Sequence, residues 1–192
     1  MTRAYTQPGY LPPVIPLISG GPLQHQPFVP HRILWSTIGQ TWLVLGSQDF
    51  RKSYGLAYQM VKPDERLSFR QNEAQLVFEA NMQSSTGRRP TRADNVQHNW
   101  GLLALGRYEL GKPGTRHAFW EAGWGLEYVD RTSQDLNLRW NSTPTLGLGY
   151  VLPGKDGHDW YFNLRFRHIS NGGTRLPNQG QNWLLLMVGY RF

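Results

Sequence analysis

The sequence predicts an all-β protein, an eight-stranded antiparallel up-and-down transmembrane β-barrel. Its 192 residues include 8 Trp, 9 Tyr, 8 Phe and 21 Gly, although the mean hydropathy is only −0.52. Many aromatic residues in a chain of polar average composition indicate strands that are apolar on one face only. The longest apolar run, 183–188, is far shorter than the roughly 20 residues that a spanning helix needs. A membrane-crossing form of this chain is therefore expected to cross with strands.

The N-terminal segment 1–31 is expected to form a proline-rich arm outside the barrel. It holds seven of the 13 prolines, which are Pro8, Pro12, Pro13, Pro16, Pro22, Pro27 and Pro30. Proline has no backbone N–H and cannot sit inside a sheet. No apolar signal segment is visible at the N-terminus, which leaves open whether the chain is exported in this form. The barrel is predicted over 40–192.

Alternation of apolar and polar residues places the strands along the rest of the chain. The first strand is expected near 40–48, where the phase of the alternation is ambiguous. A later strand is expected within 134–153, where Leu146, Leu148 and Tyr150 alternate with Thr and Gly. The other alternating stretches are 53–61, 73–82, 99–110, 117–128, 159–170 and 182–192. Together these segments make about eight strands, near the minimum for a closed transmembrane barrel.

A period of two does not say which face of the sheet points inward. The apolar faces carry Trp and Tyr near the strand ends, as the interfacial girdles of membrane barrels do. The opposite faces carry Glu73, Glu79, Arg107, Glu109, Glu121, Glu127, Arg165 and Arg167. Unpaired charges in a dry core cost several kcal/mol each, whereas a narrow polar lumen lets them pair. We therefore expect the apolar face to contact lipid; the alternative is a soluble barrel that binds a small ligand inside.

The composition argues against several classes of function. The chain has no cysteine, which excludes thiolate metal sites and cysteine nucleophiles. Its six histidines lack metal-ligand spacing, so no metal site is expected. The formal net charge is +7, but the basic residues are scattered, and no nucleic-acid partner is predicted.

The segment 165–182 carries the residues with the clearest chemical potential. His168 and Ser170 are two positions apart on a strand, so they project from the same face, roughly 6 to 7 Å apart at the backbone. An imidazole in that position can take the proton of a serine hydroxyl and return it to a leaving group. Both residues continue the apolar stripe, at the end of the seventh strand, which lies at the outer surface of an even-stranded barrel. With the spacing alone, a polar strand cap is the competing interpretation.

The same segment resembles the outer-membrane lipid A 3-O-deacylases of the PagL type. The resemblance rests on the block His168-Ile169-Ser170-Asn171, on the loop Pro177-Asn178-Gln179-Gly180, and on position 182 at the start of the last strand. A weaker match is the stretch 119–123, which is similar to the family's F-x-E-A-G strand. The match of strand order covers about 40–192 and leaves out the arm.

The resemblance implies a cofactor-independent serine esterase of the bacterial outer membrane. Such an enzyme would release the ester-linked 3-hydroxyacyl chain from the 3-position of lipid A in the outer leaflet. Ser170 is then implied as the nucleophile and His168 as the base. Asn171, Gly173 and Asn178 are implied as oxyanion-hole candidates. The implied partners are lipopolysaccharide, with its lipid A, and the outer membrane; a homodimer stays open.

Position 182 departs from the family pattern, because the family has a glutamate where this chain has Asn182. An asparagine can accept a hydrogen bond from the imidazole and fix its tautomer, but it supplies no negative charge. The alternative function is therefore a non-catalytic outer-membrane barrel, structural or partner-binding, with a degenerate active site. Two aspartates, Asp130 and Asp135, flank an outer loop and are expected to be solvated rather than catalytic.

Overall fold

The fold was analysed in a computed structural model of the chain. The structure describes residues 31–45, 47–69, 72–87, 96–112, 114–133, 135–176 and 178–192. The predicted arm 1–31 lies outside these residues except for His31. None of the helices in the described part of the chain is long and apolar enough to cross a membrane.

Nine antiparallel strands and one short 3₁₀-helix make up the described chain. The strands are β1 (His31–Thr41), β2 (Arg51–Phe69), β3 (Asn72–Gly87), β4 (Val96–Glu109), β5 (His117–Val129), β6 (Trp140–Ser142), β7 (Thr145–Leu152), β8 (Trp160–Ile169) and β9 (Gln181–Arg191). The 3₁₀-helix, Lys155–Gly157, lies in the connection between β7 and β8. Strands β6 and β7 both pair with β5 and are separated by two residues only, so they form one interrupted strand of the barrel wall. With β6 and β7 counted as one, the wall has eight strand positions, and each is called a stave.

The sheet closes on itself into an eight-stave barrel. Consecutive staves are paired around the barrel, β4 pairs with β5, and β1 pairs with β9 to complete the circle. Closure leaves no unpaired edge, which is the condition for a sheet to stand in lipid, where no water is available to the backbone. The all-β class and the eight-stranded antiparallel barrel expected from the sequence are confirmed.

The first strand lies earlier than the sequence pattern indicated. The strand expected near 40–48 is wrong, because β1 spans His31–Thr41 and the residues from Trp42 to Phe50 connect it to β2. Within β1 the alternation is regular, with Ile33, Trp35 and Thr37 buried. Proline and valine-leucine runs on either side of this strand obscure its period, and pairing with both β2 and β9 fixes its register.

The apolar stripe forms the outer wall of the barrel. Its exposed members include Leu56, Trp100, Leu102, Trp124, Leu126, Leu148, Phe162, Leu164, Leu186 and Tyr190. A contiguous exposed surface of this kind would be a liability in water, whereas it matches the apolar outer band of a membrane barrel. The expectation that this face points outward, and does not line a ligand-binding interior, is confirmed.

Charged residues of both signs pair inside the barrel, as the sequence predicts. Arg165 donates to both oxygens of Glu79, at 2.8 and 2.7 Å, and also to Glu121. Arg107 donates to Glu121 at 2.8 Å, and Arg167 contacts Glu127 at 3.3 Å. Amide side chains complete this network; they are Gln59, Asn81, Asn99 and Asn163. The interior therefore holds a network of paired charges beside a cluster of buried apolar side chains that includes Trp35, Phe119 and Met187, and it fixes the outward orientation of the alternate residues.

Candidate active site

The predicted His–Ser pair lies on the outer wall, where β8 ends. His168 is the outward-facing last-but-one residue of β8, and Ser170 follows the strand by one residue. The backbone of both is held by the neighbouring stave. His168 N–H donates to Pro144 O at 3.0 Å, and Ser170 forms a two-way backbone bridge with Ser142, at 3.0 and 2.7 Å. Neighbouring strand pairing therefore presents the imidazole and the hydroxyl on one face.

Asn182 connects the imidazole to a loop on the far side of the site. The residue is fully buried at the start of β9, directly opposite His168 in the β8–β9 register. Its side-chain Oδ1 lies 2.7 Å from His168 Nδ1. Its Nδ2 donates to the carbonyl oxygen of Val44, in the β1–β2 connection, at 2.6 Å. The contact between positions 168 and 182 that the resemblance implies is thus present in the structure.

These two contacts fix the tautomer of His168. The Val44 carbonyl oxygen can only accept a hydrogen bond, so the amide must turn its NH₂ group towards Val44 and its oxygen towards the imidazole. An amide oxygen can only accept as well, which makes His168 Nδ1 the donor. The proton of a neutral imidazole then resides on Nδ1, and Nε2 keeps its lone pair. The arrangement holds His168 in the form that a general base requires.

The loop after Ser170 is organised by the side chains of two asparagines. Asn171 Oδ1 accepts from Gly173 N–H at 3.0 Å, and Asn171 Nδ2 donates to Arg175 O at 2.7 Å. Asn178 Oδ1 accepts from Asn171 N–H at 3.0 Å. The N–H groups of Asn171 and Gly173 are therefore used within the loop, whereas no described residue accepts from Asn178 Nδ2. Of the three predicted oxyanion-hole residues, Asn178 is the one that presents an open donor.

Gly180 forms the surface against which His168 rests. A Cβ atom built at this position would lie 2.5 Å from His168 Cε1 and 2.9 Å from the Ile169 carbonyl oxygen. The backbone φ of Gly180 is +75°, in the left-handed region that glycine adopts without cost. Both observations restrict the position to glycine and fix the plane of the imidazole.

Asp135 is a site component that the sequence did not reveal. The expectation that it is solvated is wrong: the residue is fully buried. Its carboxylate accepts from Ser47 Oγ at 2.8 Å, from Gln48 N–H at 3.0 Å and from Asp49 N–H at 2.9 Å. Its backbone carbonyl accepts from Gly180 N–H at 3.0 Å. Asp135 thus links the β1–β2 connection, which carries Val44, to Gly180, which packs against His168. These contacts join segments that are far apart in the chain, so no local sequence pattern predicts them.

The structure brings His168, Asn182 and Asn178 to one rim of the barrel around Ser170. Ser170 itself is 8% exposed. Among the described residues, no hydrogen bond joins its hydroxyl to His168. The carboxylates Glu121 and Glu127 point into the lumen, as expected, and are fully buried there. The barrel wall separates both carboxylates from the imidazole of His168. Neither Glu121 nor Glu127 can therefore serve as the acid of a Ser-His-acid triad.

Comparison with known proteins gives a family for the chain. The family model described as Lipid A 3-O-deacylase (PagL) matches residues 52–191. The crystal structure of the outer membrane enzyme PagL aligns with a TM-score of 0.60 and 19% sequence identity, over 82% of this chain and 97% of that chain. The structural likeness concerns the fold. No curated protein sequence matches the chain.

The fold and the family match define an outer-membrane β-barrel hydrolase. The family is that of the lipid A 3-O-deacylases of the PagL type, and the chain belongs to it. Lipid A is accordingly its substrate class, and the ester bond to an acyl chain is the bond that it hydrolyses.

Proposed function

We propose that the chain removes the 3-linked acyl chain of lipid A as a serine esterase, with Ser170 as nucleophile, His168 as base and Asn182 as the orienting residue. The observation that carries this assignment is the 2.7 Å contact between His168 Nδ1 and Asn182 Oδ1, made on the lipid-facing rim beside Ser170. Because Nδ1 is the donor in this contact, Nε2 is free to take the serine proton.

The reaction proceeds in two acyl-transfer steps. Ser170 Oγ attacks the carbonyl carbon of the ester while its proton moves to His168 Nε2. The tetrahedral intermediate collapses, the bond to the sugar oxygen breaks, and the imidazolium returns its proton to that oxygen. Water then attacks the acyl-serine with the same base. The fatty acid leaves and the Ser170 hydroxyl is restored.

The negative charge of the intermediate falls on the former ester carbonyl oxygen. Asn178 Nδ2 is the donor best placed to receive it, because the other side of this amide is already bound to Asn171 N–H. A single oxyanion donor contributes about 10²–10³-fold in rate in a comparable site. The Gly173 N–H is a second donor if it exchanges Asn171 Oδ1 for the substrate oxygen.

The orientation of the site matches a substrate that stays in the membrane. His168 and Ser170 continue the apolar wall that begins with Phe162, Leu164 and Phe166 on the same strand. A lipid can therefore reach the hydroxyl by lateral movement, without leaving the leaflet. This accounts for a nucleophile on the outside of a barrel whose interior is closed by paired charges.

The first test is the replacement Ser170→Ala. We expect it to abolish deacylation, because the variant has no hydroxyl to form the acyl-enzyme, while the barrel stays folded. Release of the 3-hydroxy fatty acid from lipid A, measured by mass spectrometry in detergent micelles, reports the activity. Ser84→Ala is the matched control, since Ser84 is another outward-facing serine, on β3, and β2, β1 and β9 lie between that strand and β8. Equal release by the Ser170→Ala variant and the parent chain would refute the assignment.

A further inference from the structure

We propose that Lys52 and the groove beside it bind the substrate glycolipid, with the ammonium group on a headgroup phosphate and the groove on an acyl chain. This proposal rests on the proposed function, because it assigns a binding subsite for the same substrate. It concerns the outer wall around β1, β2, β8 and β9, next to the candidate active site.

Lys52 is a cation on the apolar outer wall. The residue is exposed at the outer end of β2, in register with Gln40 on β1 and with Thr86 on β3. Both neighbours are neutral, and no described residue forms an ion pair or hydrogen bond with the Lys52 ammonium. Among the described strand side chains, two other lysine or arginine residues face outward, Arg32 and Lys62, and both lie at the opposite end of the barrel. The charge of Lys52 is therefore available to an external anion.

An apolar groove of about 390 Å³ begins at Lys52. Its walls are formed by Ile38, Gln40, Lys52, Leu164, Leu184 and Leu186. Gln40, Lys52 and Leu184 lie in register at the outer end, and Ile38, Leu186 and Leu164 continue towards the middle of the wall. Such a groove fits a ligand that is polar at one end and aliphatic along the rest.

The groove is continuous with the candidate active site. Leu184 lies two residues along β9 from Asn182, on the same outward face, and pairs with Gln40 on one side and Phe166 on the other. Lys52 and the His168 strand are separated by three strand spacings, or roughly 14 Å. A glycolipid headgroup with phosphate and several acyl chains can span this distance while one of its esters meets Ser170.

The chemistry of Lys52 favours a phosphate over other lipid headgroups. A lysine near the membrane interface lays its aliphatic stem along apolar surface and keeps the ammonium at the polar boundary. A phosphate meets it there with a full negative charge and strong acceptor oxygens. A neutral sugar would leave the cation without a counter-charge, so the proposal commits to the phosphorylated glycolipid.

The experiment compares Lys52→Met, Lys52→Arg and the parent chain on two substrates, phosphorylated lipid A and enzymatically dephosphorylated lipid A, in mixed micelles. Lys52→Met is expected to raise KM for the phosphorylated substrate about tenfold, equivalent to about 1.4 kcal/mol. We expect kcat to change by less than about twofold, because Lys52 does not touch the reacting atoms. Lys52→Arg keeps the charge and should restore KM, and the dephosphorylated substrate should show no difference among the three proteins. Lys112→Met, at an exposed lysine in the β4–β5 turn at the other end of the barrel, is the control.

Binding of phosphorylated lipid A to the Ser170→Ala protein provides a second measurement that needs no turnover. Weaker binding after the additional change Lys52→Met supports the subsite, whether or not the parent chain deacylates lipid A. Absence of deacylation by the parent chain, together with this weaker binding, would overturn the proposed function and leave the subsite in place. Equal binding and equal KM with and without the lysine charge would overturn the subsite while leaving the proposed function in place. A loss of binding that is the same for both lipids would also overturn it, since the phosphate would not be the group recognised.

Discussion

Asn182 meets two neighbours that require different hydrogen-bonding groups, and an amide supplies both. Its oxygen accepts from His168 and its NH₂ group donates to Val44. Replacing the aspartate of a serine-protease triad by asparagine costs about 10⁴ in kcat, because the amide there holds the wrong imidazole tautomer. In this protein the Val44 carbonyl prevents the NH₂ group from turning towards the imidazole, so Asn182 does not impose the wrong tautomer on His168. What the amide does not provide is a negative charge for the imidazolium.

At the residue scale we predict that Asn182→Ala lowers kcat by about 10²-fold or more, because the imidazole loses the acceptor that fixes its tautomer and plane. The double variant His168→Ala with Asn182→Ala should be no slower than His168→Ala alone, since residues that act as a unit are not additive. The kcat values for lipid A deacylation, measured at saturating substrate, check both statements. Independent, multiplying losses would show that Asn182 does not act through the imidazole.

At the scale of elements, the candidate site depends on two loops that the barrel brings together. The β1–β2 connection carries the Val44 carbonyl, and the β5–β6 connection carries Asp135, whose carboxylate receives three donors from the first loop. The backbone carbonyl of Asp135 also receives the N–H of Gly180, which supports the ring of His168. A buried carboxylate of this kind orders the rim and does not itself take part in proton transfer.

We predict that Asp135→Asn lowers kcat about tenfold and leaves the barrel folded. An amide NH₂ would face donors in the β1–β2 connection, and a buried donor left without an acceptor costs about 1–3 kcal/mol. The loop would relax and move the Val44 carbonyl away from Asn182. Heat-modifiable migration in gel electrophoresis checks the fold, and steady-state deacylation kinetics check the activity.

Asp130→Asn is the control for this prediction, because Asp130 lies in the same connection and accepts from the backbone N–H of His98 through one oxygen. An amide oxygen can take over that bond, so we expect kcat close to the parent value. If both asparagine variants deacylate lipid A at the parent rate, the proposed role of Asp135 in ordering the rim is wrong.

At the scale of the whole molecule, the lumen network balances charge and fixes the barrel shape. Arg107, Arg165 and Arg167 face Glu79, Glu121 and Glu127, so three positive groups meet three negative groups inside the wall. Glu121 accepts hydrogen bonds from two arginines, Arg107 on β4 and Arg165 on β8. Burial of single charges is costly, and the network is stable because each charge has a partner.

We predict that Glu121→Gln destabilises the barrel by about 3–5 kcal/mol, because it leaves two buried guanidinium groups short of one negative charge. Urea unfolding in detergent micelles, followed by tryptophan fluorescence, measures the change in the free energy of unfolding. Glu109→Gln serves as the comparison, since Glu109 is partly exposed and pairs with His117 near the barrel end. We expect about 1 kcal/mol or less for that variant, and similar losses for both would contradict the central role of Glu121.

Most strands were predictable because their alternation is strong and is bounded by turn residues. The stretch 159–170 predicted β8 within a residue at each end, and the even positions from Trp160 to Phe166 lie on the outer wall as expected. The first strand was misplaced because prolines precede it and an apolar run follows it, whereas its register is set by pairing with β2 and with the distant β9. The alternation within about ten residues does not indicate which other strands a segment pairs with.

The sequence by itself determined the class of fold, the lipid-facing stripe and the position of the His168–Ser170 pair, because period-two alternation and the spacing of two residues on one strand are local properties. Tertiary structure alone decided the hydrogen bond from Asn182 to Val44, the burial of Asp135 beneath the rim and the groove beside Lys52. Each of these joins segments tens of residues apart in the chain, and their contacts exist only once the barrel has closed and fixed the order and register of its staves.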